Sequence, residues 1–349
     1  MLKFDHVLDT QALLNAPGIT PSAPSRRAAI KLSLGAGYAV ATLPIMAQTA
    51  VKTSADGLTE GEVTIDVAGF KMPAYRAQPA GKTGLPVILV LSEIFGVHEY
   101  IADTARRFAK AGYLAIAPEL FVRQGDAQSY GEIAKLQAEV ISKVPDAQVL
   151  ADLDAAVAWA AAHGGNTDKL GVTGFCWGGR QTWLYAVHNP KVKAGVAWYG
   201  RLVGDSTALT PKHPLDVAAQ LKAPVLGLYG AADTGIPLDT VEKMKAALAD
   251  AGAKGNAAAN ASQFVVYPDA PHAFHADYRA SFRKEAAEDG WKRALAWFKA
   301  NGVAGFSGVS VNSAPNGCAI KNEFQGESMS QVGTWHSRRE STLAGPLWP

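Results

Sequence analysis

From residue 62 onward, short apolar runs alternate with stretches of helical period. Glu62 to Val67 alternates outward and inward, as an edge strand does. Val87-Ile88-Leu89-Val90-Leu91 is apolar without a break, the mark of a strand buried on both faces. Residues 99 to 111 place Ile101, Ala105, Phe108 and Ala109 on one helical face, and Gly112 ends that helix. Tyr113 to Ala117 reads as a strand stopped by Pro118. Asp146 to Ala162 reads as an Ala-rich helix stopped by Gly164-Gly165. Leu170 to Gly174 is a strand, with a helix following from Gly178 to about His188. Three further buried strands are expected at Ala194 to Trp198, Val225 to Tyr229 and Phe264 to Tyr267. Helices are expected near 239 to 251 and 282 to 299. This alternation predicts an α/β fold: a mostly parallel central sheet with helices on both faces.

The pattern divides the chain. Residues 61–301 carry the alternation, 48–60 read as a linker, and past Asn301 the period fades into Gly, Ser and Asn, so 302–349 read as a loose tail. Before the domain, Ser25-Arg26-Arg27-Ala28-Ala29-Ile30-Lys31 precedes a mildly apolar run from Leu32 to Ala47. Paired arginines before such a run resemble a twin-arginine export signal, with Ala29 where Phe is usual. The run contains Gly35, Gly37 and Thr42, and is too short and too weak for a stable membrane anchor. The expectation is therefore 1–47 as a signal segment, handling by the twin-arginine machinery, and a periplasmic mature protein; a cytoplasmic protein with a frayed N-terminus is the alternative.

Composition narrows the functions. With 48% hydrophobic and 18% charged residues in 349, the chain has a large interior. Its formal charge of +2 offers no basic face for nucleic acid. Two cysteines, Cys176 and Cys318, make no disulfide framework. Cys318 reads as a small buried hydrophobe. Cys176 stands in Gly174-Phe175-Cys176-Trp177-Gly178-Gly179, between a predicted strand and a predicted helix. That is the nucleophile-elbow context, Gly-x-Ser-x-Gly with Cys for Ser. A tight turn lifts the sulfur clear of the sheet, and the flanking glycines avoid collision. The following helix N-terminus favours thiolate, and the Trp177 N–H points where an oxyanion forms. The structural alternative is a glycine-rich turn around a buried thiol.

Two more groups follow in order. Asp233 ends the strand Leu228 to Gly230 and its turn, and can orient an imidazole. His272 lies in the loop after the last strand and can carry a proton. Taken singly, each reads as a solvated loop residue; nucleophile, acid, histidine is the α/β-hydrolase order. His272 and His275 lie three apart with no Cys partner, which argues against a zinc site. His98 either lines a pocket or starts a helix. No glycine-rich nucleotide loop follows the first strand, so no cofactor is expected. The absence of a second Cys at Cys-x-x-Cys spacing argues against a redox thiol.

These residues resemble the dienelactone hydrolase (carboxymethylenebutenolidase) family over about 60 to 300. The resemblance rests on Glu93-Ile94-Phe95-Gly96-Val97, Ala117 to Arg123, the Cys176 elbow, Trp198-Tyr199-Gly200, Asp233 and His272-Ala273-Phe274. It implies an α/β-hydrolase fold, a Cys176–Asp233–His272 triad, and hydrolysis of a lactone or ester, dienelactone first, through an acyl-enzyme. It implies that Glu93 lies beside the thiol and takes its proton. Burial next to a thiol leads us to expect a raised Glu93 pKa; a helix cap is the plainer role. It further implies an oxyanion hole from Ile94 and Trp177, and contact of Arg123 and Tyr199 with substrate. Where the family has a second arginine after the histidine, this chain has Ala276; Arg279 is the candidate replacement. A general carboxylesterase is the runner-up, and a non-catalytic binding protein on the same scaffold a third reading. The expected partner is a small lactone or ester, and the chain is read as a monomer.

Overall fold

In this computed structural model the described residues are 52–306. The twin-arginine-like segment, Cys318 and the tail beyond Phe306 lie outside them. Eight strands form one sheet: β1 (Leu58–Val67), β2 (Phe70–Pro79), β3 (Leu85–Leu91), β4 (Leu114–Pro118), β5 (Gly165–Phe175), β6 (Val192–Trp198), β7 (Val225–Gly230) and β8 (Gln263–Tyr267). Their spatial order is β1-β2-β4-β3-β5-β6-β7-β8. From β4 to β8 all pairs are parallel, while β2 runs antiparallel to β1 and β4. The helices are α1 (Glu99–Lys110), α2 (Ile133–Glu139), α3 (Asp146–Ala162), α4 (Trp177–His188), α5 (Pro214–Val217), α6 (Leu238–Ala253), α7 (Ala257–Ala261) and α8 (Lys284–Ala300). The chain is an α/β-hydrolase fold.

The expected apolar runs are the central strands, and every residue of β3, β4 and β7 is buried. Helices on both faces leave these strands no contact with water, which is why they read as unbroken hydrophobic runs. One face is closed by α1 and α8, where Phe108 packs on Trp291 at 4.5 Å between ring centroids and edge-on to Phe298. α3 and α4 pack on the other, tied together by Tyr185, which donates to Asp154.

β2 is an element that the pattern did not announce. Pro73 and Pro79 interrupt it, yet Met72, Ala74, Tyr75 and Ala77 are buried, and the Pro73 carbonyl accepts the Glu119 N–H at 2.9 Å. The domain also runs past the expected limit at 301. Val303 is fully buried, its carbonyl accepts the Tyr113 hydroxyl at 2.9 Å, and Phe306 N–H donates to Gly112 O. At the other end β1 begins at Leu58, inside the expected linker.

The strand order sets the site. The chain leaves β3 for β4 on one side and returns to β5 on the other, so β3 and β5 flank the switch point. Open parallel sheets bind ligands there, outside the C-terminal ends of the strands. Leu91, the last residue of β3, is paired with Gly174 of β5. Glu93 and Cys176 therefore each stand two residues beyond the same rung of the ladder.

Candidate active site

Cys176 occupies a strained backbone position, with φ 54° and ψ −114°. For a non-glycine residue this costs on the order of 1–3 kcal/mol and persists only where the surroundings impose it. Here they do. The Cys176 N–H donates to Trp198 O, and its carbonyl accepts the Arg180 N–H as α4 begins. A Cβ at Gly178 would meet Leu91 O at 2.4 Å, and one at Gly174 would meet Gly178 O at 2.1 Å. The glycines let the turn press against the end of β3. Trp177 is the first residue of α4, so its N–H belongs to the donors a helix leaves free.

The remaining groups arrive from neighbouring strand ends. The loop after β8 crosses the end of β7 so closely that a Cβ at Gly230 would sit 2.0 Å from Ala270 O. Ala231 N–H donates to Tyr267 O and Ala232 N–H to Ala270 O. These bonds bring Asp233 Oδ2 to 2.7 Å from His272 Nδ1. The other Asp233 oxygen accepts the N–H groups of Gly235 and Ile236, at 2.9 and 3.1 Å, which fixes the carboxylate plane. His272 Nε2 is buried and takes no well-formed bond, while Cys176 lies near enough to act on the ring. Burial alone would push the imidazole down. The charges of Asp233 and of the Cys176 thiolate, with the Asp233 hydrogen bond, hold it well above its ordinary value instead. The arrangement can hold a thiolate beside an imidazolium. We therefore expect kcat/KM to stay level through neutral pH and to fall only at alkaline pH, as His272 loses its proton; an Asp233→Asn pH–rate profile should show that limb moved toward neutrality.

Glu93 is brought to the same rim, with a correction. Burial does press its pKa upward, but the charge and hydrogen bond of His98 and the hydroxyl of Tyr278 outweigh it, so the carboxyl lies below its usual value. The expected rise is not found. His98 Nε2 is 3.1 Å from Glu93 Oε2, and Tyr278 OH donates to Oε1 at 2.9 Å. Sequence reasoning left His98 undecided and passed over Tyr278; partners 185 positions apart leave no local pattern.

The substrate-contact candidates divide. Ile94 is buried directly after Glu93. Tyr199 is fully buried, at φ 37°, with its ring edge-on to His272 at 5.2 Å, and forms a wall of the site. Burial first, then the nearby Glu93 charge, pushes its hydroxyl well above the ordinary range. Arg279 lies over the rings of Phe95 and Tyr278, at 5.5 and 5.7 Å. Arg123 is paired within the fold. Both its terminal nitrogens donate to Asp152 at 2.8 Å, and its guanidinium stacks 4.0 Å over Phe70. Asp152 is fully buried. This bidentate pair ties the segment after β4 to α3. Arg123→Ala should destabilise the fold by about 3 kcal/mol, by stranding a buried carboxylate. Thermal melting beside steady-state kinetics should show that loss with KM for an anionic substrate unchanged. Among the described residues no group of three or more His, Cys, Asp or Glu is placed to hold a metal ion. No described helix is long and apolar enough to cross a membrane.

Known proteins resemble this chain over most of the described domain. The model of the dienelactone hydrolase family matches residues 72–302. A "Putative carboxymethylenebutenolidase" of Methylorubrum extorquens is 60% identical, over 80% of this chain and 94% of its own length. A protein of the same description from Escherichia coli is 52% identical, over 76% of this chain and 96% of that one. The crystal structure of a "Putative Dienelactone Hydrolase" from Klebsiella pneumoniae superposes with a TM-score of 0.67 at 57% identity, covering 70% of this chain and 99% of that one. The elbow, the strand order and these relatives together establish that the chain belongs to the dienelactone hydrolase family of lactone and ester hydrolases.

Proposed function

We propose that this protein hydrolyses a lactone or activated ester with Cys176 as nucleophile. The observation that carries the proposal is the elbow itself: a thiol at φ 54°, at the start of α4, facing an imidazole whose far nitrogen is 2.7 Å from Asp233. The Cys176 thiolate attacks the carbonyl carbon, forming a C–S bond. The N–H groups of Trp177 and Ile94 stabilise the oxyanion. The ester C–O bond breaks, and His272 gives its proton to the departing alkoxide. Water then attacks the thioester, His272 takes its proton, and the C–S bond breaks to return the thiolate. A thiolate leaves more readily than an amine, so lactones and esters turn over and amides do not.

Within this class the family substrate is dienelactone (4-carboxymethylenebut-2-en-4-olide), opened to maleylacetate. A second reading, a carboxylesterase of looser specificity, is favoured by the engagement of Arg123 with Asp152 and by Ala276. Export by the twin-arginine route belongs to the same proposal, and fractionation of the full chain tests it.

Hydrolysis of dienelactone and of p-nitrophenyl acetate by the purified protein decides between the substrates, with mass spectrometry for an acyl group on Cys176. Turnover of dienelactone with an acylated Cys176 supports the family substrate. Turnover of the acetate alone supports the esterase. Turnover without acylation of Cys176 overturns the nucleophile.

A further inference from the structure

We propose that His98 is a positioning residue of this site: with Tyr278 it clamps Glu93 as a fixed carboxylate beside the Cys176 thiol, so that thiol ionisation is governed from the β3 side as well as by His272. The inference rests on the reading of Cys176 as nucleophile.

His98 stands at the residue before α1, where Ser, Asp or Asn would satisfy the helix N-terminus. Its side chain caps nothing. The ring turns back instead to Glu93, five residues earlier. The turn that permits this passes through Gly96, at φ 72°, where a Cβ would meet Glu119 Oε2 at 2.9 Å. Once folded back, the imidazole is boxed by aromatic rings: Tyr278 edge-on at 5.0 Å, Tyr100 stacked at 5.9 Å and Phe95 edge-on at 6.3 Å between centroids. Glu93 and His98 are 3% and 4% exposed, so water does not compete for the bond between them.

A buried carboxylate without partners takes up a proton rather than bear the cost of its charge. Glu93 has two donors, one on each oxygen, from two different elements. Its titratable neighbours are His98 and Tyr100 from α1, Tyr199 from the end of β6, Tyr278 from the loop after β8, and Cys176 from the elbow. Of these, His98 bonds the carboxylate directly, while the Arg279 guanidinium, over the rings of Phe95 and Tyr278, adds a fixed positive charge on the Tyr278 side. The shared rung Leu91–Gly174 sets Glu93 alongside Cys176, and Tyr199 feels the charge of both. An anion held there opposes thiolate formation, while His272 favours it. Without His98, Glu93 loses one of its two donors, takes up a proton more readily and opposes the thiolate less.

The test reads the thiol directly. In a Cys318→Ser background, the rate of Cys176 alkylation by iodoacetamide is followed against pH. His98→Gln keeps an N–H donor but carries no charge. We expect it to lower the alkylation midpoint by about one unit. Glu93→Gln should give the same shift, and the double variant no more than either, because both remove one carboxylate. Tyr278→Phe should give a smaller shift in the same direction, and serves where His98→Gln does not fold. A midpoint unchanged or raised in His98→Gln or Tyr278→Phe, or shifts that add in the double variant, overturns the proposal. Alkylation requires no substrate, so these outcomes stand apart from the hydrolysis assay. Turnover without acylation of Cys176 would sink the nucleophile and leave the clamp to be judged by alkylation alone.

Discussion

Alanine at position 176 is expected to lower hydrolysis by about 10⁴-fold or more, with the fold intact. The sulfur is the one atom removed, and the Cβ that suffers at φ 54° is common to both residues. Stability should therefore change little. What remains after the loss is the binding of substrate and the donors at the start of α4, which accelerate attack by water only weakly. Serine at the same position is not a rescue. A hydroxyl is far less acidic than a thiol, and the shorter C–O bond withdraws the nucleophile from His272. Pre-steady-state kinetics should show the burst of the wild type missing from both variants, while circular dichroism melting curves overlay. A Cys176→Ala protein that kept a tenth of the activity would move the nucleophile elsewhere.

The largest loss of stability is expected at a buried ion pair of the elbow helix. Arg180 lies in the first turn of α4, and both its terminal nitrogens donate to Asp146, at 2.7 and 2.8 Å. Gln181 adds a third bond to the same carboxylate. Arg180 also donates to Lys212 O and, through Nε, to His213 Nδ1, while His213 Nε2 is 3.0 Å from Asp205 O. Burial first, then the neighbouring arginines, keep the His213 pKa low, so a neutral ring accepts from Arg180 and donates to the Asp205 carbonyl. One guanidinium thus joins the elbow helix to α3 and to the 201–213 segment. Asp146→Ala leaves that buried cation unpaired and should cost 3–5 kcal/mol, a fall in Tm on the order of 10 °C. Replacing Arg180 and Asp146 together with Met and Leu should cost much less, because no charge is then stranded. Equal losses in the single and double variants, measured by thermal melting, would show that the pair does not act through charge.

The frame of this fold was legible because buried parallel strands must be apolar throughout, as Val87 to Leu91 is. The triad candidates were legible because each follows its own strand and two carry glycines that close approach demands. β2 was not legible: two prolines and mixed polarity conceal the buried side chains of Met72, Ala74, Tyr75 and Ala77 on its two faces. The state of Glu93 was misjudged because burial was weighed without its partners. His98 is near in sequence but needs the Gly96 turn, and Tyr278 comes from the far side of the sheet. The Arg123–Asp152 pair was not legible because Asp152 reads as an ordinary helix residue. In each case the missing information was a pairing made by the tertiary fold.

The ends of the domain carry a further consequence. Thr53 bonds to Asp103, Lys110 reaches the Asp56 carbonyl, and Phe306 pairs with Gly112. Lys110 and Gly112 mark the finish of α1, the helix that starts beside Glu93 and runs away from it. The described chain thus begins and ends along one helix: Thr53 bonds in its first half, while Phe306 closes beyond its last turn, away from the rim on which Cys176 opens. α1 therefore acts as a common tether for both ends of the described domain, so a substitution that loosens this helix should release the two together.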